Sequence, residues 1–148
     1  MSPRQLLLVA CSQRKSNQPG KCPAIERYDG VNYLILHKLQ RQGQLPPTLD
    51  IWILSAKYGL IQAGTPIETY DLRMTFDRAL EMQAQVSQAL DGVLSQHDYA
   101  AVFINLGKVY RVALDQSQQL TVLADRVTYA PGGIGVKMAA MRQWILSL

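Results

Sequence analysis

Four short apolar segments, separated by stretches with helical periodicity, restrict the folds open to this chain more than any other feature. They span residues 5–11, 50–56, 100–106 and 126–130 and are rich in Val, Ile, Leu and aromatic residues. The first three are almost continuously apolar, which is typical of strands covered on both faces, as in a parallel sheet. The sequence therefore predicts four buried strands.

A helical pattern follows each predicted strand. In the longest pattern, apolar residues recur every four positions from Met82 to Leu94, which places them on one face of a helix. Alternation of strands and helices predicts an α/β fold, a three-layer α/β/α sandwich with a four-stranded, mainly parallel sheet in the middle. The predicted helices span residues 30–42, 75–96, 108–118 and 135–148.

The composition fits one domain spanning residues 1–148. Of the 148 residues, 48% are hydrophobic, which is enough for a core. No window approaches the length of a membrane span, and no signal-peptide cleavage pattern follows the first apolar run, so we expect a cytoplasmic protein. The net charge of +4 permits an anionic partner, but no run of cations exceeds two residues. A basic site would therefore have to be assembled by the fold.

Small and polar residues follow the carboxyl end of every predicted strand. In open parallel sheets, ligands bind beyond these ends, where residues from several strands meet. Each end also supplies at least one lysine, so the sequence predicts one shared cleft that binds an anion. The residues are Cys11, Ser12, Arg14 and Lys15 after the first strand, Ser55, Lys57 and Tyr58 after the second, Asn105, Lys108 and Tyr110 after the third, and Gly133, Gly135 and Lys137 after the fourth.

The segment APGGIGVKMAAM, residues 130–141, is a glycine-rich turn that leads into the last predicted helix. Glycines let backbone amides approach an anion, and a helix N-terminus adds a favourable partial charge. Gly133, Gly135 and Lys137 are therefore predicted to bind phosphate. The segment matches neither Walker A nor GxGxxG, so the alternative is a tight strand-to-helix turn in which the glycines serve only the backbone geometry.

The segment of residues 53–74 is long for a connection, and connections of this length are often functional. Tyr58, Tyr70, Asp71 and Arg73 are polar groups within it that could face the cleft. Asp71 is the candidate general base, because a carboxylate can transfer protons without a histidine. In the alternative interpretation, the two tyrosines pack in the core and Asp71 and Arg73 form a surface pair.

Cys11 is a candidate nucleophile, since the cations that follow it favour a thiolate. Cysteine catalysis usually needs a histidine base, however, and the chain has only His37 in a predicted helix and His97 in a loop. A structural thiol is therefore the alternative. The two cysteines are expected to be free, and with the two histidines they show no metal-ligand spacing, so we expect neither a metal nor a cofactor.

Motifs along most of the chain resemble an uncharacterised family of bacterial and phage proteins. They are CSxxK at residues 11–15, PAxxRY at 23–28, LSAKYGL at 54–60 and IxxYDxxM at 67–74. The middle third is also similar to the SGLYG…YRLEM segment of the YaaA peroxide-stress proteins. The opening CxxxK element resembles one in archaeosine synthase, which modifies a deazaguanine base in tRNA.

The whole group resembles the uracil-DNA glycosylase-like fold. This resemblance implies an α/β/α sandwich with a four-stranded parallel sheet and a cleft that could hold a nucleobase or nucleotide. The water-activating GxDPY motif of the glycosylases is replaced here by CSQRK, and their histidine-containing second motif by APGGIG. Uracil excision is therefore not carried over, because a shared fold does not by itself imply a shared function.

Three functional hypotheses follow. The first is an enzyme that acts on a nucleobase or nucleotide, at an N-glycosidic bond or on a modified base, with Cys11, Lys15 and Asp71 as catalytic residues. The second is a nucleic-acid or nucleotide-binding protein without chemistry, whose lysines contact phosphates. The third is a protein-interaction domain. The predicted substrate-binding residues are Ser12, Ser55, Lys57, Tyr58, Tyr70, Arg73, Asn105 and Lys108.

Overall fold

The computed structural model describes residues 3–148, which contain seven strands and seven α-helices. The strands are β1 (Arg4–Ala10), β2 (Cys22–Pro23), β3 (Leu49–Ser55), β4 (Gly59–Gln62), β5 (Pro66–Ile67), β6 (Tyr99–Asn105) and β7 (Val127–Tyr129). The helices are α1 (Ala24–Arg27), α2 (Val31–Arg41), α3 (Phe76–Glu81), α4 (Gln83–Gln96), α5 (Lys108–Val112), α6 (Gln118–Val122) and α7 (Ile134–Leu146).

The main sheet has five strands in the order β4-β3-β1-β6-β7. Strands β3, β1, β6 and β7 are parallel to their neighbours, which confirms the mainly parallel sheet, whereas β4 pairs with β3 in antiparallel orientation. The predicted count of four strands is therefore one too low. The extra strand forms because Gly59, at a φ of +78°, turns the chain back directly after β3.

Strand β1 lies in the centre of the sheet and divides the core into two layers. Leu6 and Leu8 pack on one face against α3 and α4, while Leu7 and Val9 pack on the other face against α2 and α7. All four side chains are fully buried. Burial on both faces explains why the first apolar segment is continuous rather than alternating, and it confirms helices on both sides of the sheet.

Two of the predicted helices differ from the observed ones. The pattern over residues 75–96 is divided at Met82, although both parts keep their apolar side toward the same core layer. The helix predicted over residues 108–118 ends early, at Val112. Helix α6, which was not predicted, begins after Ser117, whose hydroxyl caps it by accepting a hydrogen bond from the Leu120 N–H.

The helices of residues 3–148 include none that is both long and apolar enough to cross a membrane.

The loop that follows β1 is held by a buried arginine. Arg27, at the end of α1, is completely inaccessible to solvent. Its Nη1 donates to the carbonyls of Ser16 and Gln18 at 2.9 and 3.0 Å, and its Nη2 donates to those of Gly20 and Ile67 at 2.6 and 3.4 Å. Five consecutive loop residues without regular structure are thus tied to the domain by one planar group that presents several donors.

Replacing this arginine tests how much the loop depends on it. Arg27→Met removes all four side-chain hydrogen bonds and leaves carbonyl groups unsatisfied, so we expect the free energy of unfolding to fall by about 3 kcal/mol or more. Arg27→Lys keeps the positive charge but not the planar guanidinium with its several donors. Its free energy of unfolding should therefore lie between those of the wild type and Arg27→Met. Urea denaturation measures both, with exposed Arg41→Met as the control; a loss below about 1 kcal/mol for Arg27→Met would contradict this role.

Candidate functional site

A cleft of about 670 Å³ opens at the carboxyl ends of β1 and β6. The start of α2 forms one wall, and the loop between β7 and α7 with the first turn of α7 forms another. Its position agrees with the rule that open parallel sheets bind ligands beyond their strand ends. The lining residues are Ala10, Cys11, Ser12, Gln13, Arg14, Gly30, Val31, Asn32, Tyr33, Asn105, Gly107, Lys108, Tyr110, Gly132, Gly133, Ile134 and Lys137.

The structure brings eight of the residues predicted for the strand-end cleft together, and they come from the ends of three different strands. The other predicted site residues do not line it. Those inside are Cys11, Ser12, Arg14, Asn105, Lys108, Tyr110, Gly133 and Lys137, and those outside are Lys15, Ser55, Lys57, Tyr58, Tyr70, Asp71, Arg73 and Gly135.

The charged groups in the cleft lining are all cations. They are Arg14, Lys108 and Lys137, and the lining contains no carboxylate or imidazole side chain. Arg14 is partly neutralised, because its Nε lies 3.4 Å from an Asp29 carboxylate oxygen outside the lining. The two lysines therefore dominate the local field, which favours an anionic ligand.

Cys11 lies on the floor of the cleft beside Tyr110, which its position after the third strand had predicted to share the cleft. The Cys11 Sγ is 3.3 Å from the Tyr110 Oη, and that hydroxyl also donates to the Cys11 carbonyl at 3.4 Å. Burial, with the neighbouring Cys11 as a second cause, raises the pKa of Tyr110 well above its ordinary value, so its hydroxyl stays protonated. The sequence pattern assigned Tyr110 no role and did not predict its contact with Cys11.

Asn105 is a deeply buried polar residue of the cleft lining, with 2% of its surface exposed. Its Nδ2 donates to the Met141 Sδ at 3.3 Å, a weak acceptor. A second amide of the lining, Asn32 in the first turn of α2, has a buried Oδ1 without a hydrogen-bond partner among residues 3–148. A buried acceptor without a partner is costly.

The first turn of α7 forms the end of the cleft nearest Lys137. Gly133 caps the helix and offers no side chain to its free N–H groups. Gly132 precedes it with a φ of +73°, and a Cβ there would lie 2.9 Å from the Val136 side chain, so this position requires glycine. The Lys137 ammonium group folds back to donate to the Gly132 carbonyl.

Ser12 shapes the cleft wall. Its Oγ donates to the Arg14 carbonyl at 2.6 Å and accepts from the Gly30 N–H at 3.2 Å. A Cβ on Gly30 would lie 2.8 Å from the Ser12 Cβ, so the two backbones approach as closely as glycine allows. With both hydrogen bonds made inside the protein, the hydroxyl holds the loop that follows Cys11 against the start of α2.

A second group of predicted residues forms a tyrosine cluster outside the cleft, composed of Tyr28, Tyr58 and Tyr70 around Ser55. The Tyr70 Oη lies 2.6 Å from the Tyr28 Oη and 2.9 Å from the Ser55 Oγ. The same Oγ accepts from the Tyr58 N–H at 3.0 Å. These polar atoms satisfy one another, which matches the alternative that the tyrosines of residues 53–74 pack in the core.

Two lysines cover this tyrosine cluster. The Lys15 Nζ lies 4.3 Å from the centre of the Tyr70 ring, and the Lys57 Nζ lies 5.3 Å from that of Tyr58. Burial lowers the pKa of Lys15, although the nearby Cys11 and Asp71 act in the opposite direction. Asp71 itself is exposed and lies outside the cleft lining, so the geometry offers no support for its predicted role as a general base there.

The possible metal ligands of residues 3–148 do not cluster. No group of three or more His, Cys, Asp or Glu side chains there could hold a metal ion.

The two cysteines should differ sharply in reactivity. Cys11 is partly exposed on the cleft floor, whereas Cys22 is buried with 6% of its surface exposed. We expect iodoacetamide to alkylate Cys11 at least about tenfold faster than Cys22 in the native protein, because Cys22 must await local opening. Peptide mass spectrometry measures both rates, and Cys11→Ser should leave only the slow reaction. Equal rates at the two thiols would contradict the described burial.

The buried tyrosines predict a loss of stability at alkaline pH. Burial raises the pKa of Tyr28 from 10.0 to about 12 and that of Tyr70 still higher, so both stay protonated longer in the folded chain than in the unfolded one. The free energy of unfolding should therefore be unaffected by these groups below pH 10 and should fall as the pH rises from 10 to 12. Absorbance at 295 nm should show their ionisation only on unfolding. Full tyrosine ionisation in the folded protein at pH 11 would contradict this.

Comparison with known proteins identifies the fold and the family. No curated protein matches this chain. Among solved structures, the crystal structure of AF0587, a protein of unknown function, superimposes with a TM-score of 0.54 at 12% sequence identity. The match covers 97% of this chain and 44% of that one, so this chain spans less than half the length of AF0587. At this identity the likeness shows the fold alone. The family of unknown function DUF6884 matches residues 6–143, and the chain therefore belongs to that family.

Proposed function

We propose that the cleft binds a nucleobase or nucleotide and that the protein is an enzyme acting on it through Cys11. The observation that carries this proposal is the combination of a partly exposed thiol and a buried amide side chain in a cleft whose charged residues are all cations. The resemblance to proteins with a uracil-DNA glycosylase-like fold supports the choice of a nucleobase. A cleft of about 670 Å³ is also within the size range of small-molecule sites.

The polarity of the cleft suggests how such a ligand would lie. Lys137 and the N-terminus of α7 would receive the phosphate, and Lys108, which also lines the cleft, would add positive charge. The Asn105 Oδ1 would accept a hydrogen bond from a base amino or imino group. Val31 and Ile134 would contact the apolar face of the base, since both line the cleft and are otherwise exposed.

The chemistry would centre on Cys11 and Tyr110. The Cys11 sulfur would form a bond to the sugar carbon that carries the base, and the bond from that carbon to the base nitrogen would break. The thiol proton would pass through the Tyr110 hydroxyl, whose oxygen lies 3.3 Å from the Cys11 Sγ, to the leaving nitrogen, so that the base leaves neutral and the tyrosine stays protonated. Water would then release the sugar and restore the thiol. Lys15 and Asp71 lie outside the cleft lining, and we assign them no step in this proposal.

A second candidate is a nucleotide-binding protein without chemistry. It is favoured by the lack of any carboxylate or imidazole in the cleft lining, because those groups carry out most general acid–base catalysis. The cations of the lining would bind a nucleotide equally well whether the protein is an enzyme or a binding protein.

A thermal-shift screen with turnover assays separates the two candidates. At a ligand concentration of about 100 times Kd, binding should raise the melting temperature by about 9 °C, since only the folded state binds. Lys137→Ala should abolish most of the shift, while Lys38→Ala, exposed on α2, should keep it. Cys11→Ser should retain binding but lose turnover if the protein is an enzyme.

Two other results of this screen would contradict the proposed enzyme. Binding without turnover in the wild type would favour the non-catalytic candidate. No shift with any nucleobase, nucleoside, nucleotide or oligonucleotide would contradict both candidates and leave a protein-interaction domain as the better account.

A further inference from the structure

We infer that Asn32 accepts a hydrogen bond from an N–H group of the base, which makes it a specificity-determining residue on the α2 wall of the cleft. This inference rests on the proposed binding of a nucleobase or nucleotide there. It excludes ligands whose base is alkylated, or has only acceptors, on the edge that faces this wall. Three observations carry it: a buried acceptor without a partner, a side chain that can turn, and a fixed backbone around it.

The buried acceptor is the Asn32 Oδ1. Asn32 lines the cleft, and its Oδ1 has no hydrogen-bond partner among residues 3–148. Two other buried side-chain atoms of these residues share this property, the Ser16 Oγ and the Arg27 Nε, and both belong to residues outside the cleft lining. Within the lining, the unsatisfied buried side-chain atom of the described residues is thus this amide oxygen. Proteins retain such costly groups mainly at functional sites.

The Asn32 side chain can turn its oxygen toward a ligand. No hydrogen bond holds the Oδ1 in its buried position. The torsion between Cβ and Cγ of an asparagine is broad and roughly twofold, so a turn about this bond exchanges the places of the two polar atoms. The other amide of the lining differs, because the Asn105 Nδ2 already donates to the Met141 Sδ. A ligand donor that pairs with the Asn32 Oδ1 therefore removes an existing cost.

The backbone around Asn32 is fixed by contacts on both sides. The Gly30 N–H donates to the Ser12 Oγ at 3.2 Å, and the Tyr33 hydroxyl donates to the Ala10 carbonyl at 2.7 Å. Tyr33 is also 1% exposed, so it anchors the first turn of α2 in the core. A ligand then has to order little more than one side-chain torsion, which keeps the entropic cost of binding low.

The neighbouring residue suits a flat, partly apolar ligand. Val31 lines the cleft with 46% of its surface exposed and is the proposed contact for the face of the base. Successive residues of an α-helix point about 100° apart, so Val31 and Asn32 meet different parts of a ligand. We assign the face of the base to Val31 and its edge to Asn32.

The chemistry of the edge follows from the atom that lacks a partner. An acceptor requires a donor, and the donors of nucleobases are exocyclic amino groups and ring N–H groups. The lining has no carboxylate or imidazole that could accept from the base instead. A site built to pair with an N–H group rejects analogues that lack it, because its own polar atom is then left unpaired.

Isothermal titration calorimetry on the full chain tests the inference with pairs of ligands that differ by one base donor. The pairs are adenine and purine, guanine and hypoxanthine, cytosine and pyrimidin-2-one, and uracil and N3-methyluracil, each as the free base and as the nucleoside 5′-monophosphate. For the base that binds, loss of the donor should weaken binding to the wild type at least about tenfold. In Asn32→Leu, which has no polar atom at this position, the same loss should change the affinity less than about twofold.

Two matched variants locate the effect. Asn32→Asp keeps an acceptor, so the penalty for loss of the donor should persist. Ser16→Ala removes another buried oxygen without a partner, but outside the lining, and should leave both the affinity and the penalty unchanged.

The stability of the ligand-free protein gives a second readout. Removal of an acceptor that the protein leaves unpaired costs the fold nothing, so Asn32→Leu and Asn32→Ala should keep the melting temperature or raise it by up to about 3 °C. A fall of more than about 3 °C in both variants would assign the amide to the fold and overturn the inference.

The remaining outcomes separate failure of the inference from failure of the proposed function. An equal donor penalty in the wild type and in Asn32→Leu would show that another group pairs with the donor, which would overturn the inference and leave the cleft ligand in place. Tighter binding of the methylated or donor-free member of a pair would overturn it as well. Binding of no probe to the wild type would reject the proposed function itself.

Discussion

The complete burial of β1 is the constraint on which the rest of the structure depends. Leu6–Val9 are inaccessible to solvent because helices cover both faces of the sheet and β3 and β6 pair with both edges of the strand. Within this strand, polar residues can therefore reach solvent only at its two ends. At its carboxyl end, the apolar run gives way to Cys11, and the change from buried strand to polar loop places this thiol on the floor of the cleft.

Internal polar contacts then give the loops around the cleft a defined shape. Arg27 ties the residues after β1 to the domain, and the two hydrogen bonds of Ser12 hold the start of that loop against α2. Internal hydrogen bonds also fill the space at the end of β3, where the hydroxyl groups of the tyrosine cluster bond to one another and to Ser55. One side of the strand ends is thus filled by protein groups, while the side between β1, β6 and α7 stays open.

The strand-end residues meet in one cleft at β1, β6 and β7, but not at β3, where the chain turns back into an antiparallel strand. Cys11, Asn105 and Lys137 come from three parallel strand ends and meet in one cleft, as predicted. The residues after β3 were expected to join them, but Gly59 reverses the chain into the antiparallel edge strand β4 and leads the segment of residues 53–74 away. Strand β4 has only four residues and no alternating pattern, so hydrophobic periodicity could not predict it. The position of Tyr70, Asp71 and Arg73 away from the cleft could therefore not be predicted either. Tyr110 was predicted to line the cleft, but its contact with Cys11 was not, because that contact joins residues 99 positions apart.

The sequence by itself determined the layered α/β architecture, the central strands and the positions at which polar chemistry begins. It could do so because burial on two faces, helical spacing and abrupt polarity changes are local patterns. Only the tertiary structure decided which strand ends share a cleft, which tyrosines satisfy one another, and that the Asn105 amide lies buried against Met141. These outcomes depend on the direction of an edge strand and on distances between residues far apart in the chain, which no local pattern encodes.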